Sequence, residues 1–240
     1  MDTYKIMKIE DIIKATPYLG RGIVTGTSAD GKYAVIGYFI SGRSENSRNR
    51  IFVENGSEVI IHPFDASKVE DPSLIIYSPI RVYENNLIVT NGDQTDTVYE
   101  GLEKGLSFKE SLESRCFEPD EPNFTPRISS MLTFNDGSFK YEVSILKSID
   151  EKGSDCARYT FSYPSVNGLG HFIHTYACDG NPLPTFTGEP ERVEIGNDID
   201  EFTNNIWNSL DQQNKISLYT RFIDKETGKE TNRMINKHLK

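Results

Sequence analysis

The chain is dominated by short runs of β-branched and aromatic residues, each bounded by residues that favour turns. Such runs predict β-strands, and their number predicts a fold built mainly from sheet. A turn signal at 135–138, with Asp-Gly at its centre, predicts a hairpin between two of the runs. The predicted strands cover residues 22–27, 33–40, 51–61, 74–78, 86–90, 131–134, 139–145, 157–163, 171–177, 192–195 and 215–223.

Helices are fewer and have clear end signals. Thr97 and Ser107 each precede a glutamate by three residues, which matches the capping box at a helix start. Gly105 is expected to end the first of these helices, and the second is expected to run to about residue 115. Asp198 is expected to cap a third helix, in which apolar residues recur on one face. Helices between runs of antiparallel strands predict the α+β class.

No internal repeat, low-complexity tract or Pro/Gly/Ser-rich linker divides the chain, so a single domain is predicted over residues 18–240. Residues 1–17 are expected to form an N-terminal extension with a short helix of its own. No run of about 18 apolar residues marks a membrane span, and the first residues lack the pattern of a secretory signal. We therefore expect a cytoplasmic protein. The three cysteines lack CxxC spacing, which favours a reducing compartment over disulfides or a zinc site.

The net charge of the chain is −10, but one segment is basic. Residues 20–50 hold five Lys or Arg against two acids, a local charge of +3 that leaves −13 for the rest of the chain. Nucleic acids and anionic membranes need broad positive surfaces, so neither is expected as a partner. Arg43, Arg48 and Arg50 lie among Gly, Ser and Asn, which favours a small anion such as a phosphate. The alternative is a solvated loop between two strands.

Three further segments contain residues suited to a polar ligand. Glycines flank Arg21, so the backbone there can approach a ligand closely or form a tight turn. Asn91 and Asp93 stand where a strand runs into a helix, and they can bind a polar heterocycle or a carboxamide. The alternative is that Asp93 or Thr95 caps the helix. Two prolines stiffen the loop that carries Thr125 and Arg127, which either forms part of a site or is structural.

Motifs of several common enzyme classes are absent from the sequence. The sequence has no GxSxG, HExxH or GxxxxGK[ST] motif, so it gives no motif evidence for a serine hydrolase, a zincin or a P-loop enzyme. The four histidines are scattered, and the nearest two, His171 and His174, fall on opposite faces of a strand. No metal site is therefore expected.

Four short blocks occur in order along the first half of the chain: Tyr18-x-Gly20-Arg21, Arg43-Ser44 with Asn49-Arg50, Thr90-Asn91-Gly92-x-x-Thr95-Asp96 and Thr125-Pro126-Arg127-Ile128. Together they resemble the archaeal-type IMP cyclohydrolase family. Any one block is a weak signal, whereas the four in sequence are specific. The similarity spans residues 18–145 and continues more weakly. Glu45 and Arg48, and much of the second half, differ from the archaeal pattern, which indicates a divergent branch.

The resemblance implies a fold, a reaction and a substrate. The fold resembles the four-layer αββα sandwich of the N-terminal-nucleophile hydrolases, with two antiparallel sheets between helix layers. The reaction is the last step of purine synthesis, in which a formamidoimidazole carboxamide ribotide closes its ring, loses water and becomes inosine monophosphate (IMP). No metal, cofactor or covalent nucleophile is implied. The expected partner is this purine ribotide, and the sequence leaves open whether the chain forms a homo-oligomer.

For this reaction, the basic residues are assigned to the phosphate of the substrate. Arg21, Arg43 and Arg50 are expected to form the phosphate pocket, because guanidinium groups bind phosphate with paired donors. Arg48 is a further candidate, and Asn49 is counted with them among the substrate-binding residues.

The remaining candidates are assigned to ring closure. Tyr77 or Arg127 is expected to stabilise the negative charge that develops on the formyl oxygen. Asn91 and Thr125 are expected to hold the carboxamide or the ring. A carboxylate is expected to carry the proton during attack and dehydration. The candidate carboxylates are Asp93, Asp96 and Glu121.

Two other functions stay open on the sequence. One is a non-catalytic protein that binds or senses purine nucleotides and keeps only the phosphate pocket. The other is an enzyme that handles an amide of a related ribotide.

Overall fold

The structure is a computed structural model that describes residues 4–69 and 76–239. In these residues the strands form two sheets that face each other, and neighbouring strands within each sheet are antiparallel. The strands are β1 (Arg21–Thr27), β2 (Tyr33–Ser41), β3 (Ile51–Asn55), β4 (Glu58–His62), β5 (Ile80–Tyr83), β6 (Asn86–Thr90), β7 (Arg127–Asn135), β8 (Ser138–Ser148), β9 (Cys156–Pro164), β10 (Leu169–His174), β11 (Glu191–Glu194), β12 (Lys215–Asp224) and β13 (Glu230–Asn236).

The two sheets differ in how the chain runs through them. The six-stranded sheet has the order β11-β10-β1-β2-β12-β13. Strands from the beginning and from the end of the chain are therefore neighbours in it. The seven-stranded sheet has the order β3-β4-β5-β6-β7-β8-β9, a meander of consecutive strands. The fold therefore has the predicted α+β character with two antiparallel sheets.

The helices pack on the outer faces of the two sheets. α1 (Ile9–Lys14) and α5 (Ile199–Ser209) share an apolar cluster with the six-stranded sheet. α3 (Gln94–Glu103) and α4 (Phe108–Leu112) share another with the seven-stranded sheet. A short helix, α2 (Glu45–Arg48), and a 3₁₀ turn over Ala66–Lys68 lie in loops. In the described part of the chain, no helix is long and apolar enough to cross a membrane.

The main core lies between the sheets. Alternate residues of each strand point inward, and Ile36 and Tyr38 from one sheet share a cluster with Val89 and Leu132 from the other. Full burial of each such side chain contributes about 1.5–3 kcal/mol. This apolar centre holds the two sheets at a fixed separation, so polar groups at the ends of the strands lie in the space between them.

Several local predictions are confirmed. The turn between β7 and β8 consists of Asp136 and Gly137, both with positive φ (31° and 73°), as a two-residue hairpin requires. The side chain of Ser107 accepts from the N–H of Glu110 in a capping box, and Asp198 caps α5. Gly105, with φ of 78°, follows the end of α3.

Other local predictions are wrong. Thr97 does not start a helix, because it lies inside α3, which begins at Gln94. The turn after β6 continues directly into this helix. The run 51–61 is two strands joined by a turn, because Gly56 with φ of 63° reverses the chain. Of the predicted strand 74–78, residues 74 and 75 lie outside the described residues, 76–78 are not in a strand, and β5 begins at Ile80.

The described part of the predicted N-terminal extension packs onto the rest of the chain. A short helix is present there, as expected. Ile9, Ile12 and Ile13 of α1 are buried in the cluster formed with α5 and the six-stranded sheet. Met7 also pairs with Val193 of β11. The boundary at residue 17 stays a prediction.

The antiparallel pairings bring four separate segments to one end of the sandwich. Arg21 starts β1 and pairs with Ile40, near the end of β2. In the other sheet, Thr90 at the end of β6 pairs with Ser129, close to the start of β7. The residues that precede β1 and β7 and that follow β2 and β6 therefore meet at this end, although they are far apart in sequence.

His171 is a buried polar residue of the inter-sheet core. Its Nδ1 atom lies 2.6 Å from the hydroxyl of Tyr141 in the facing sheet, and its ring stacks on Tyr163 at 3.5 Å between centroids. Burial and, to a lesser extent, the charge of Arg192 together lower the pKa of His171 to about 4. His174 contacts Phe172 on the other side of the sheet. The prediction that the two histidines face opposite ways is therefore confirmed.

We predict that His171 makes the fold sensitive to mild acid. Its pKa is lower in the folded state (about 4) than the ordinary 6.5, so the neutral form stabilises the fold above pH 6.5. That contribution is lost as the pH falls from 6.5 towards 4. The free energy of unfolding, measured by urea titration across this range, should fall more steeply for the wild type than for His171→Gln. Equal slopes would contradict the assignment.

Candidate functional site

A cavity of about 740 Å³ opens between the sheets at the end where the four segments meet. This volume lies within the range of small-molecule sites. Its lining combines guanidinium groups, carboxylates, amides and three tyrosines with little aliphatic surface. The cavity is therefore suited to a polar, negatively charged ligand that carries a flat ring.

Two guanidinium groups lie in the inner part of the cavity. Arg21 begins β1, and Arg50, which is only 8% exposed, directly precedes β3. Burial lowers the pKa of Arg50, and the charge of Arg21 lowers it further, so the two cations are close enough to repel each other. The Nε atom of Arg21 is buried without a hydrogen-bond partner. An anion placed between these groups would relieve the repulsion.

Glu118 is the carboxylate that faces this pair of cations. It follows α4 and lines the cavity. Burial raises the pKa of Glu118 above its ordinary 4.5, although the charges of Arg21 and Arg127 act in the opposite direction. Sequence reasoning missed Glu118 because no motif surrounds it. The only sequence signal for this site was the acidic segment Glu118-Pro119-Asp120, which lies just before the loop that carries Thr125 and Arg127.

The opposite wall carries a fixed ion-pair cluster. Nη1 of Arg127 donates to Asp93 at 2.7 Å and to Gln94 at 2.8 Å. Arg115 donates to the same carboxylate oxygen of Asp93. Burial opposes ionisation of Asp93, but the two arginines hold its pKa below the ordinary value. Asp93 therefore stays ionised and positions Arg127.

Asn91 braces the loop rather than projecting free groups into the cavity. Its side-chain Nδ2 donates to Pro126, and its Oδ1 accepts from the backbone of Ile128 and from Gln94, each at 2.9 Å. The hydroxyl of Tyr77 donates to the carbonyl of Asn91 at 2.7 Å. These bonds join the end of β6 to the start of β7 and fix the ring of Tyr77.

A second network crosses from one sheet to the other. Asp120 accepts from the N–H of Thr125 at 2.6 Å and from its hydroxyl. The same hydroxyl lies 2.6 Å from the hydroxyl of Tyr176, which follows β10. Tyr176 stacks on Tyr18 with ring centroids 5.8 Å apart. Thr125 therefore fixes Tyr176 through one hydroxyl group, and Tyr18 stacks on that ring.

Arg43 lies at the mouth of the cavity. It is more exposed than Arg21 and Arg50, it donates to Asp179 at 2.7 Å and to the carbonyl of Gly180 at 2.8 Å, and it lies over the ring of Tyr18. Ser44, Asn46 and Ser47 of the same loop line the mouth beside it.

The structure brings most of the predicted site residues into this single cavity. The cavity is lined by Arg21, Arg43, Arg50, Tyr77, Asn91, Asp93, Thr125 and Arg127. The three arginines assigned to the phosphate pocket therefore share one space. The residues that were not predicted but line it are mainly Tyr18, Glu118, Asp120, Asn123 and Tyr176.

Four predicted residues lie outside the cavity lining. Arg48 donates to Gly42 and Asn214, which ties down the loop after β2. Asn49 is buried and pairs both of its amide atoms with the backbone of Asp65 at 2.8 and 2.7 Å. The other two are Glu121, which is exposed, and Asp96, which pairs with Arg81 at 2.9 Å.

The glycines beside Arg21 serve packing. A Cβ atom on Gly20 would lie 2.1 Å from the hydroxyl oxygen of Thr175, and one on Gly22 would lie 2.4 Å from the ring of Phe39. Gly20 also has φ of 75°. The protein's own side chains therefore require glycine at both positions, and close approach of a ligand there stays a prediction.

Across 4–69 and 76–239, no three His, Cys, Asp or Glu side chains are grouped so as to hold a metal ion. Of the cavity carboxylates, Asp93 pairs with Arg115 and Arg127, and Asp120 accepts from Thr125.

A family model described as "IMP cyclohydrolase-like protein" matches residues 18–228. Because this match covers most of the chain, the chain belongs to the IMP cyclohydrolase-like family. It is 28% identical over 165 residues to the IMP cyclohydrolase of Methanococcus aeolicus, covering 67% of this chain and 75% of that protein.

Two further relatives differ in the extent of the match. The IMP cyclohydrolase of Methanocaldococcus jannaschii is 25% identical over 217 residues, which covers 87% of this chain and 95% of that protein. The IMP cyclohydrolase of Methanopyrus kandleri is 36% identical over 116 residues, or 47% of this chain and 57% of that protein.

We predict that Gly20→Ala destabilises the protein by about 1–3 kcal/mol, because the new methyl group overlaps Thr175 and the backbone angle disfavours alanine. Urea unfolding measures the change. Gly196→Ala is the matched control, since a Cβ atom there meets nothing within 4 Å. A Gly20→Ala protein as stable as the control would contradict the packing role.

Proposed function

We propose that this chain is an IMP cyclohydrolase, which closes the ring of a formamidoimidazole carboxamide ribotide with loss of water. In this reaction the carboxamide nitrogen forms a bond to the formyl carbon, and the former formyl oxygen leaves as water. Family membership supports the reaction. The single observation that carries the proposal is a carboxyl group, Glu118, beside a buried guanidinium group, Arg21, in one cavity.

Glu118 is the proton carrier in this proposal. The other acids of the region are committed: Asp93 to two arginines and Asp120 to Thr125. Burial raises the pKa of Glu118 above its ordinary 4.5, so its carboxyl group is suited to taking and returning a proton. Its role is to accept the proton of the attacking amide and return it to the departing oxygen.

Arg21 is the donor to the developing oxyanion. Its buried Nε–H lacks a partner, so it is available in a place that excludes bulk water. The proton of Tyr77 is already donated to Asn91. Tyr77 instead forms a fixed wall for the heterocycle, and Arg127, held by Asp93, binds the polar edge of the ring. Holding both reacting groups in a near-attack geometry lowers the barrier by up to about 7–11 kcal/mol in the best cases.

The phosphate binds at the mouth of the cavity in this proposal. Arg43 and the polar side chains of the loop after β2 lie there, where a dianion keeps part of its hydration. Arg50 lies further in and adds a second positive charge to the same space. The ribotide then enters with its base directed towards Arg21 and Glu118.

The finer class of fold and enzyme also belongs to this proposal. Two facing antiparallel sheets with helices on their outer faces support a sandwich of the N-terminal-nucleophile hydrolase type. The enzyme would be grouped with hydrolases of cyclic amidines, because the reverse reaction opens the ring by adding water. The ligand is a purine ribotide.

We predict that Glu118→Gln lowers kcat by about 10²–10⁴-fold, because the amide cannot exchange the proton. The assay follows formation of IMP from the formylated ribotide. Glu121→Gln is the matched control: it is a nearby glutamate, exposed and outside the cavity. Equal activities of the two variants would remove Glu118 from the mechanism.

The pH profile gives an independent check on the same residue. Glu118 acts as a base in its ionised form, and burial raises its pKa above 4.5, so kcat should fall as the pH drops through a value above 4.5. This acidic limb should disappear in Glu118→Gln. If the acidic limb of the kcat profile is unchanged in Glu118→Gln, it reports the titration of a residue other than Glu118.

We predict that Arg43→Ala weakens binding of IMP by about tenfold or more, through loss of charge-assisted bonds worth about 1.5–3 kcal/mol each, with a smaller effect on kcat. Isothermal calorimetry measures the affinity. Arg233→Ala is the control, since Arg233 is similarly exposed and also pairs with one aspartate, but does not line the cavity. If both variants bind IMP like the wild type, the phosphate is not at the mouth.

The same experiments distinguish the proposed cyclohydrolase from a non-catalytic nucleotide-binding protein. Binding of IMP that needs Arg43, together with no product from the formylated ribotide, would favour that alternative. Product from a related ribotide instead would favour a different amide-handling enzyme.

A further inference from the structure

Tyr176 connects the mouth of the cavity to its inner part. Its ring packs so closely on Gly20 that a Cβ atom there would lie 2.7 Å from a ring carbon. Gly20 directly precedes Arg21, one of the two inner guanidinium groups. The ring of Tyr176 also stacks on Tyr18, over which the guanidinium group of Arg43 lies at 5.0 Å. Tyr176 therefore stands between the arginine at the mouth and the arginine further in.

The hydrogen bonds that reach Tyr176 have a fixed direction. A carboxylate carries no proton and can only accept, so the hydroxyl of Thr125 donates to Asp120. This uses the single proton of Thr125, and its oxygen accepts from the hydroxyl of Tyr176 at 2.6 Å. Burial raises the pKa of Tyr176 to about 12, so the hydroxyl keeps its proton at neutral pH. That proton points to Thr125, and the Tyr176 oxygen can only accept from a ligand.

The backbone holds this arrangement in place. Asp120 accepts both the N–H of Thr125, at 2.6 Å, and its hydroxyl, so two bonds to one carboxylate fix the Thr125 side chain. Bonds to an ionised group are stronger than those between neutral groups. The Tyr176 hydroxyl therefore keeps its proton turned away from the cavity, and Thr125 and Asp120 act as its positioning residues.

The order of groups along the cavity matches the order of groups in a ribotide. The proposed function, on which this step rests, places the phosphate at Arg43 and the base towards Arg21 and Glu118. The ribose joins the phosphate to the base and therefore lies between these two places, beside Tyr176. Ribose hydroxyl groups carry the protons that an acceptor-only oxygen needs.

We propose that Tyr176 is a specificity-determining residue, which accepts a hydrogen bond from the 2′-OH or the 3′-OH of the ribose and so selects ribotides over deoxyribotides. A site built to hydrogen-bond a substrate hydroxyl rejects the analogue that lacks it, because the buried protein group is then left without that partner. The phenol ring is buried and stacked, so its oxygen does not move to find another donor.

Isothermal calorimetry on the full chain with IMP, 2′-deoxy-IMP and 3′-deoxy-IMP tests this recognition. The wild type should bind the deoxy ligand that lacks the recognised hydroxyl about fivefold or more weakly than IMP, and the two deoxy ligands tell the 2′-OH from the 3′-OH. Tyr176→Phe should bind IMP about as weakly as that deoxy ligand. Equal binding of all three ligands by the wild type overturns the proposal, as does a Tyr176→Phe protein that keeps the full preference.

Tyr83→Phe is the matched control for removal of a tyrosine hydroxyl. Tyr83 is partly buried and lies outside the cavity lining, so this variant should keep the preference of the wild type. Loss of the preference in both tyrosine variants would mean that the effect is not specific to Tyr176, and would overturn the proposal.

Thr125 gives a second test that leaves the ring of Tyr176 in place. Thr125→Val removes the acceptor of the Tyr176 proton, so the hydroxyl is free to turn and the preference for IMP should fall. Thr125→Ser keeps a hydroxyl and should retain the preference. A merely structural role of Thr125 would weaken all three ligands by the same factor, and that result overturns the positioning role.

Failure of the proposed function gives a different result. A wild type that does not bind IMP has no ribotide site, and the recognition of the ribose falls with it. Binding of IMP with the expected preference but without product from the formylated ribotide refutes the turnover alone, and the role of Tyr176 stands.

Discussion

The site depends on holding charged groups of both signs close together where they are largely buried. Burial opposes the charge of Arg50 and of Glu118, as the directions of their pKa shifts show. Such groups stay together only when opposite charges and hydrogen bonds offset the loss of hydration. In this fold the apolar core fills the middle of the space between the sheets, and the charged residues lie at one end of it. The charges therefore face a cavity and not the packed interior.

Neutral side chains do much of the positioning in the cavity wall. Asn91 uses both of its amide atoms to join the end of β6 to the start of β7. Thr125 connects Asp120 to Tyr176 through one hydroxyl group. These residues were expected to touch the ligand, yet their hydrogen bonds are already made within the protein. Their hydrogen bonds fix neighbouring groups of the cavity wall, such as the ring of Tyr77 and the hydroxyl of Tyr176.

Local chemistry explains which predictions from the sequence are confirmed. The Asp136-Gly137 turn and the capping residues Ser107 and Asp198 are specified by neighbours within a few positions, so a sequence pattern is sufficient. Thr97 carries the same local pattern as Ser107 but lies inside α3, because the turn after β6 starts that helix earlier. The contacts of that turn decided the case, since the hydroxyl of Thr95 donates to the carbonyl of Gly92.

The sequence by itself determined the strand-rich α+β class, the basic segment after β2, and four ordered blocks whose residues largely line one cavity. Only the tertiary structure decided which charged groups face each other across that cavity. Glu118 has no motif around it, and becomes a candidate because burial and the charges from β1 and β7 act on it together. Glu121, three residues away, is exposed. The physical reason is that a pKa and a hydrogen-bond partner depend on distances in space, which antiparallel pairing of distant strands sets and sequence spacing does not.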